Sequence, residues 1–221
     1  METKVSMKSS IGATKERPPF QGSPLLRCLI LPAFLSSIFA AAAAAGPFED
    51  GMAAFSRGDN QAAIKIWIPL ASQGNVRTQS MLGYAYEVSQ NLVEAARWYR
   101  AAADQGNAVA QTNLAMMHQN GRGVGRDYVE ALKLYRLAAD QGVAVAQFNL
   151  GLLFAGGQGV QRDYVQAHKW LTLAAEGFPA AEAARSASAL RNRDIAASKM
   201  TAGQIAEAQK LVREWKPNSA K

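Results

Sequence analysis

A segment of nine residues recurs along this chain at a fixed interval. Trp98-Tyr-Arg-Ala-Ala-Ala-Asp-Gln-Gly106 returns as Leu134-Tyr-Arg-Leu-Ala-Ala-Asp-Gln-Gly142, and again, one residue shorter, as Trp170-Leu-Thr-Leu-Ala-Ala-Glu-Gly177. A fixed period of this kind is the sequence signature of a stacked repeat architecture. Because such folds usually hold partners rather than perform chemistry, the repeat constrains the class of function before any single residue is considered.

The period is 36 residues over most of the repeated region, as shown by the equivalent residues Ala95, Ala131 and Ala167. The step from Leu82 to Leu114 is only 32 residues, so one unit is four residues shorter than the others. An earlier, degenerate unit covers residues 48–74. The spacing therefore predicts four stacked units between residues 48 and 177.

Each unit is predicted to contain two helices. Asn91, Asp127 and Asp163 each stand three residues before Glu or Gln, an arrangement that resembles a capping box at the start of the second helix. Asp59 holds the same place in the first unit. We expect that helix to stop at a glycine in a left-handed turn, at Gly74, Gly106, Gly142 and Gly177.

The first helix of each unit carries small residues at one recurring position, Gly83, Ala115 and Gly151, which predicts close packing against a neighbouring helix. Aromatic residues also recur at fixed places, and this predicts that they are buried between the repeats: Trp67, Trp98, Tyr99, Tyr135 and Trp170. Gly-x-Gly sequences join the two helices at Gly121–Gly125 and Gly156–Val160. Since they follow a helix rather than a strand, we expect tight turns there and not a phosphate site.

The first 45 residues have the layout of a secretory signal peptide. Basic residues end at Arg27, and Cys28 to Ala45 then form an 18-residue run without charge that ends in small residues. We expect cleavage after Ala45, which would place the mature protein in the periplasm or outside the cell. The alternative is an uncleaved anchor in the inner membrane, for which 18 residues is at the short limit.

Composition excludes several kinds of chemistry. Cys28 is the only cysteine, so residues 46–221 offer no thiol, disulfide or cysteine-ligated metal site. The net charge of +7 falls to +4 in that part, which has 19 basic and 15 acidic side chains. Of the two histidines, we expect His118 to pack at an aromatic position and His168 to lie at a helix surface. No metal-ligand spacing or nucleophile motif occurs, so no cofactor, metal or catalytic residue is expected.

The segment after the repeats is predicted to cap them. Residues 180–200 are helical by composition, and Thr201 with Gln204 forms a capping box before a second amphipathic helix that ends near Pro217. A solenoid needs a terminal unit with a polar outer side. Residues 180–221 are therefore assigned to capping helices, and residues 46–179 to the repeats. The alternative is that the last helix docks a partner.

The repeated residues resemble the Sel-one-like repeat family, a branch of the tetratricopeptide-like helical repeats. Residues 108–142 match the family pattern Ala-x-Ala-Gln-x-x-Leu-Gly, then Gly-x-Gly-Val, Asp-Tyr-x-x-Ala and Ala-Ala-x-Gln-Gly, with Ala115 at a Gly place and His118 at a Tyr place. Residues 144–177 match well, residues 78–106 lack the Gly-x-Gly-Val insertion, and residues 48–74 match loosely. The resemblance implies an all-α, right-handed solenoid of antiparallel helix pairs.

The resemblance also implies adaptor work, often in bacterial envelopes, with the first helices lining a concave face. By that analogy a protein or peptide partner, and not nucleic acid, would meet nine residues: Arg77, Ser80, Tyr84, Thr112, Asn113, Met116, Phe148, Asn149 and Leu152. We therefore predict a non-catalytic protein-binding scaffold in the cell envelope. The alternatives are an accessory subunit or enzyme acting on cell-wall glycan, and a structural component held by an uncleaved anchor.

Overall fold

The computed structural model describes residues 46–218, and the regular elements in that range are helices. We number the α-helices in chain order; a short 3-10 helix, Ala180–Glu182, precedes α9. The bounds are α1 Pro47–Ser56, α2 Asn60–Ser72, α3 Val76–Val88, α4 Leu92–Asp104, α5 Ala108–Asn120, α6 Tyr128–Asp140, α7 Ala144–Gly156, α8 Tyr164–Gly177, α9 Ala183–Ala197 and α10 Ala202–Glu214. The predicted signal peptide and anchor lie outside the described residues. Within residues 46–218, no helix has both the length and the apolar character needed to cross a membrane.

The helices pack in consecutive pairs. Each first helix (α1, α3, α5, α7) packs against the second helix of its own unit, and that second helix packs against the first helix of the next. This chain of neighbour contacts is the arrangement of an α-solenoid, in which each repeat touches only its neighbours. The predicted all-α solenoid of stacked helix pairs is confirmed.

The second helices start at the predicted residues. The side chains of Asp59, Asn91, Asp127 and Asp163 each accept a hydrogen bond from a backbone N–H in the first turn. The reciprocal half of the expected capping box does not form after Asp127, because the Glu130 carboxylate pairs instead with Arg100 of the preceding unit. A side chain that would have closed a local cap is thus used to join two repeats.

The predicted left-handed glycine at the end of the second helix is confirmed for three of the four units. Gly74, Gly106 and Gly142 have φ values of 89°, 87° and 88°, which are left-handed. The prediction is wrong for Gly177, which is the last residue of α8 and is followed by extended Phe178 (φ −72°, ψ 132°). The physical reason is Pro179, because a residue before proline is restricted to extended backbone.

The recurring aromatics fill the seam between the helices, as predicted. Trp67, Tyr99, Tyr135 and Trp170 have no exposed surface, and Trp98 is buried. The predicted close packing is also confirmed, since a Cβ added at Gly83 would lie 2.6 Å from Cδ1 of Tyr99 and one at Gly151 would lie 2.7 Å from Cγ of Leu171. In the core of each unit, an aromatic or leucine side chain therefore packs against a small residue.

A ladder of glutamines also joins the repeats. The amide of Gln111 is buried and donates to the carbonyl oxygen of Ala103, while its own Oε1 accepts from Gln141 of the second helix in its unit. Gln79 and Gln105 repeat this pairing one unit earlier. Buried amides must be hydrogen-bonded to be tolerated, so these glutamines fix the register of successive helices.

The C-terminal helices continue the stack and cover its end. α9 packs on α8 and reaches α7, and α10 packs on α8. The predicted capping box is present, with Thr201 and Gln204 bonded reciprocally. The chain after α10 lies back on the last two repeats. There the Trp215 ring meets Trp170 edge to face at 6.4 Å, and the backbone N–H of Asn218 donates to the backbone carbonyl oxygen of Asp140.

Candidate functional site: the first-helix groove

The first helices α1, α3, α5, α7 and α9 line a surface that we call the first-helix groove, in which α3 contacts α5 and α7 contacts α9. Equivalent positions along the repeat therefore stand next to one another. One row consists of Met52, Tyr84, Met116 and Leu152, of which Tyr84 is 45% and Met116 39% exposed. This row is an apolar strip along the solenoid, and solvent reaches its Tyr84 and Met116 side chains.

The structure places most of the nine predicted residues at this surface. Arg77, Tyr84 and Met116 are exposed, and Asn113, Phe148, Asn149 and Leu152 are half-buried. Ser80 and Thr112 are more than nine-tenths buried, so the structure leaves Thr112 little surface for a partner, while Ser80 reaches the wall of a pocket at the N-terminal end. The Thr112 hydroxyl is used within its own helix, where it donates to the carbonyl oxygen of Ala108.

A pocket of about 470 Å³ opens at the C-terminal end of the groove, between α7 and α9. Its floor is aromatic, since the rings of Phe148 and Phe178 lie 6.4 Å apart at 65°. Polar side chains stand around this floor: Asn149, Arg185, Ser188 and Arg191. An apolar base with a few polar groups above it is the usual composition of a binding pocket.

A second, smaller pocket of about 230 Å³ lies at the other end, where α1, α3 and α5 meet. Phe48, Met52 and Val109 supply its apolar surface. The Arg77 guanidinium lies 4.0 Å from the centre of the Phe48 ring, close enough for a cation–π interaction. Residues predicted from sequence thus line both pockets, with Arg77 and Ser80 in one and Phe148 and Asn149 in the other.

Sequence reasoning missed the part of the groove that comes from outside the clear repeats. Ala184, Ser188 and Arg191 belong to the segment assigned only to capping, and Phe178 lies just before that segment. A signal was present, because Ser188 stands 36 residues after Leu152 and is therefore in register with that row, although its side chain is polar. α9 therefore serves as a further first helix although its sequence has lost the repeat pattern.

The centre of the groove carries little charge. α5 and α7 contain no Asp, Glu, Lys or Arg, and the ionisable side chain on α5 is His118. His118 turns towards the second helix of the preceding unit, with its Nε2 3.1 Å from the Arg100 guanidinium. Among the described residues, no group of three His, Cys, Asp or Glu could hold a metal ion.

Groups with shifted pKa values belong to the packing between helices rather than to the two pockets. Burial raises the pKa of Tyr99 and of Tyr135, and the carboxylate of Glu87, which accepts the Tyr99 hydroxyl at 3.0 Å, adds to the effect on Tyr99. Burial also raises the pKa of Asp140 and lowers that of Lys169. Catalytic sites usually gather such perturbed groups in a cleft, and these lie elsewhere.

His168 is buried, contrary to the predicted position at a helix surface, because it faces α9 where that helix covers α8. Burial lowers the pKa of His168; Arg193 adds to this effect and Asp194 opposes it. With the folded-state value below the unfolded value, the unfolded chain binds the proton more readily, and stability decreases as pH falls through the unfolded pKa.

We expect the free energy of unfolding to decrease between about pH 7.5 and about pH 5.5, and to decrease less in a His168→Gln variant. Urea unfolding of both proteins across this range measures the difference, and the other titrating groups contribute equally to each. Equal pH dependence in the two proteins would show that His168 is not linked to folding.

The comparisons with known proteins agree with this geometry. The model of the Sel1 repeat matches residues 77–107, 108–143 and 144–177. This chain carries three Sel1 repeats. They correspond to the pairs α3–α4, α5–α6 and α7–α8, while α1–α2 has the same two-helix layout outside the matched residues.

Solved Sel1 structures resemble the chain over most of its length. A protective antigen of uropathogenic Escherichia coli with an SLR fold is 33% identical, with a TM-score of 0.62, over 70% of this chain. The match spans only 32% of that antigen. A Sel1 repeat protein from Oxalobacter formigenes is 28% identical, with a TM-score of 0.57, over 75% of this chain and 74% of that one. No curated protein matches the chain.

Sel1 repeat proteins generally mediate interactions between proteins, and the family is typically non-catalytic.

Proposed function

We propose that this Sel1 repeat protein is a non-catalytic scaffold of the bacterial cell envelope, and that its first-helix groove binds a segment of a protein partner. The observation that carries the proposal is the apolar row of Tyr84, Met116 and Leu152 between the two pockets, in which Tyr84 and Met116 are exposed and Leu152 is half-buried. Exposed apolar surface bordered by polar groups marks a binding site. The placement in the envelope rests on the uncharged run from Cys28 to Ala45.

The groove composition favours a peptide or helix over a glycan substrate. Enzymes that cleave glycans use two carboxylates that flank the bond to be broken. α5 and α7, which form the centre of the groove, contain no carboxylate side chain. Methionine and leucine side chains together with the amides of Asn113 and Asn149 suit instead the apolar side chains and backbone groups of a protein segment.

The proposal is tested by affinity capture with the full chain and two matched variants. Met116→Glu places a charge in the groove, and Leu137→Glu places the same charge on α6, where Leu137 is 45% exposed. Both positions are exposed and helical, so neither substitution should unfold the protein, and circular dichroism checks this. Partners are quantified by mass spectrometry.

We expect a partner of the wild-type protein to be lost about tenfold or more with Met116→Glu and retained with Leu137→Glu, since one charge buried without a counter-charge costs more than one order of magnitude in affinity. Retention of that partner by Met116→Glu would move the binding site away from the groove. Equal loss with both variants would indicate a general effect on the surface and would also contradict the proposal.

A further inference from the structure

The two pockets at the ends of the groove share one composition. Each contains a phenylalanine, a serine and an arginine: Phe48, Ser80 and Arg77 at the N-terminal end, and Phe148, Ser188 and Arg191 at the C-terminal end. They arise from different parts of the sequence, because Arg77 belongs to a Sel1 repeat and Arg191 to the segment that follows the repeats. The same chemistry therefore stands at both ends of one surface.

Both arginines are exposed and lack a carboxylate partner within residues 46–218. No Asp or Glu oxygen in that range comes within 4.0 Å of Arg77 or Arg191. Arg185, at the rim of the same pocket as Arg191, is already paired with Glu182 at 2.8 Å. One cation at each end is thus available to a ligand.

The surface between the two arginines is uncharged, since α5 and α7 carry no Asp, Glu, Lys or Arg. First helices of successive units stand about one helix diameter apart, roughly 10 Å, so three steps from α3 to α9 span roughly 30 Å. An extended chain advances about 3.3 Å per residue, and about nine residues would cover that distance. The groove therefore has the length of a short extended peptide.

We propose that the segment bound in the groove is extended and acidic at both ends, with two carboxylates about nine residues apart and apolar side chains between them. This inference rests on the proposed function and specifies its ligand. One carboxylate pairs with Arg77 and the other with Arg191, while an apolar side chain next to each enters the adjacent phenylalanine-lined pocket. The apolar row of Tyr84, Met116 and Leu152 contacts the middle of the segment.

We expect Arg77 and Arg191 to determine which segment binds more than they determine its affinity. Ion pairs between exposed side chains contribute little energy, whereas buried apolar contacts supply most of it. Charges at the rim of an interface steer the encounter and reject partners of the wrong sign. A basic segment would leave Arg77 and Arg191 facing like charge, so we expect it to be excluded.

The experiment selects ligands from random dodecapeptides displayed on phage, using the immobilised full chain. The best peptide is labelled, and its affinity is measured by fluorescence anisotropy, together with a version in which Asp and Glu are replaced by Asn and Gln. The protein variants are Arg77→Gln, Arg191→Gln and the control Arg213→Gln. Arg213 is exposed on the outer face of α10, so the control removes the same charge at a place away from the groove.

We expect selected peptides to carry separated acidic residues. Arg77→Gln and Arg191→Gln should each weaken binding about fivefold at low salt, and Arg213→Gln should leave it unchanged. Arg191→Glu should restore binding to a peptide in which one acidic residue is replaced by lysine. Restored binding after this charge reversal would identify a direct ion pair, because a change in the fold of the variant would not restore binding.

Selected peptides without an acidic preference, or equal weakening by Arg213→Gln, would overturn the inference, and so would a selection that yields no peptide. Met116→Glu separates this failure from failure of the proposed function. If Met116→Glu abolishes binding of a peptide whose carboxylates do not matter, the groove binds protein segments but the acidic preference is wrong. If Met116→Glu has no effect, the groove is not the site.

Discussion

Replacing Trp170 by alanine is expected to lower the free energy of unfolding by about 3–5 kcal/mol, the range for truncating a buried aromatic side chain. Trp170 has no exposed surface and lies where α6, α8 and the chain after α10 meet. The Trp215 ring packs against its edge, and the Arg136 guanidinium lies 5.1 Å from its centre. Alanine would leave a cavity that these rigid helices can fill only in part.

Trp170→Phe is the matched control. The indole Nε1 of Trp170 is buried and donates no hydrogen bond to the described residues, so phenylalanine removes volume without breaking a hydrogen bond. We expect it to cost about a third of the alanine effect, in line with the smaller volume lost. Chemical unfolding followed by circular dichroism compares the three proteins. Equal losses for both substitutions would mean that packing at this site does not determine stability.

The second large effect is expected at Gly159, in the loop between α7 and α8. Its φ is +69°, and an added Cβ would lie 2.4 Å from the backbone carbonyl oxygen of Tyr128 at the start of α6. A backbone atom at a helix end cannot move aside as a flexible side chain could. We therefore expect Gly159→Ala to lower the free energy of unfolding by about 3 kcal/mol, combining left-handed strain with overpacking.

Gly157 provides a control within the same loop. Its φ is +68°, but its nearest neighbour for an added Cβ is Arg162 at 3.4 Å. Gly157→Ala therefore adds the backbone strain without the clash, and about 1 kcal/mol should be lost. Chemical unfolding of both variants separates the cost of left-handed backbone strain from the cost of the clash with the preceding repeat. If both cost the same, the contact between the loop and the preceding repeat does not contribute to the stack.

The sequence was sufficient for the features that depend on local chemistry and on the period. The caps at Asp59, Asn91, Asp127 and Asp163 could be predicted because each stands at the start of an apolar helical pattern. The burial of the aromatics followed from their recurrence. Gly-x-Gly was correctly assigned to an interhelix turn, although its second glycine has a further role, contact with the preceding repeat, which spacing alone does not reveal.

Features that depend on neighbours distant in sequence could not be predicted in the same way. Glu130 bonds to Arg100 rather than to its own helix start, and His168 is buried by α9, whose position no local pattern gives. Ser80 and Thr112 are polar and lie on the first helices, but both are more than nine-tenths buried. The pocket at Arg191 requires α9 to act as a first helix, and the only sequence signal for this is the 36-residue spacing from Leu152 to Ser188.

The most direct measurement is photocrosslinking with benzoylphenylalanine placed in the full chain, within the cells that produce the protein. One version carries it in place of Met116 in the groove. The other carries it in place of Val93, which is 67% exposed on α4, a second helix. A bound segment in the first-helix groove predicts a crosslinked protein partner from position 116 and none from position 93. Crosslinks from position 93 alone, or from neither position, would contradict the account.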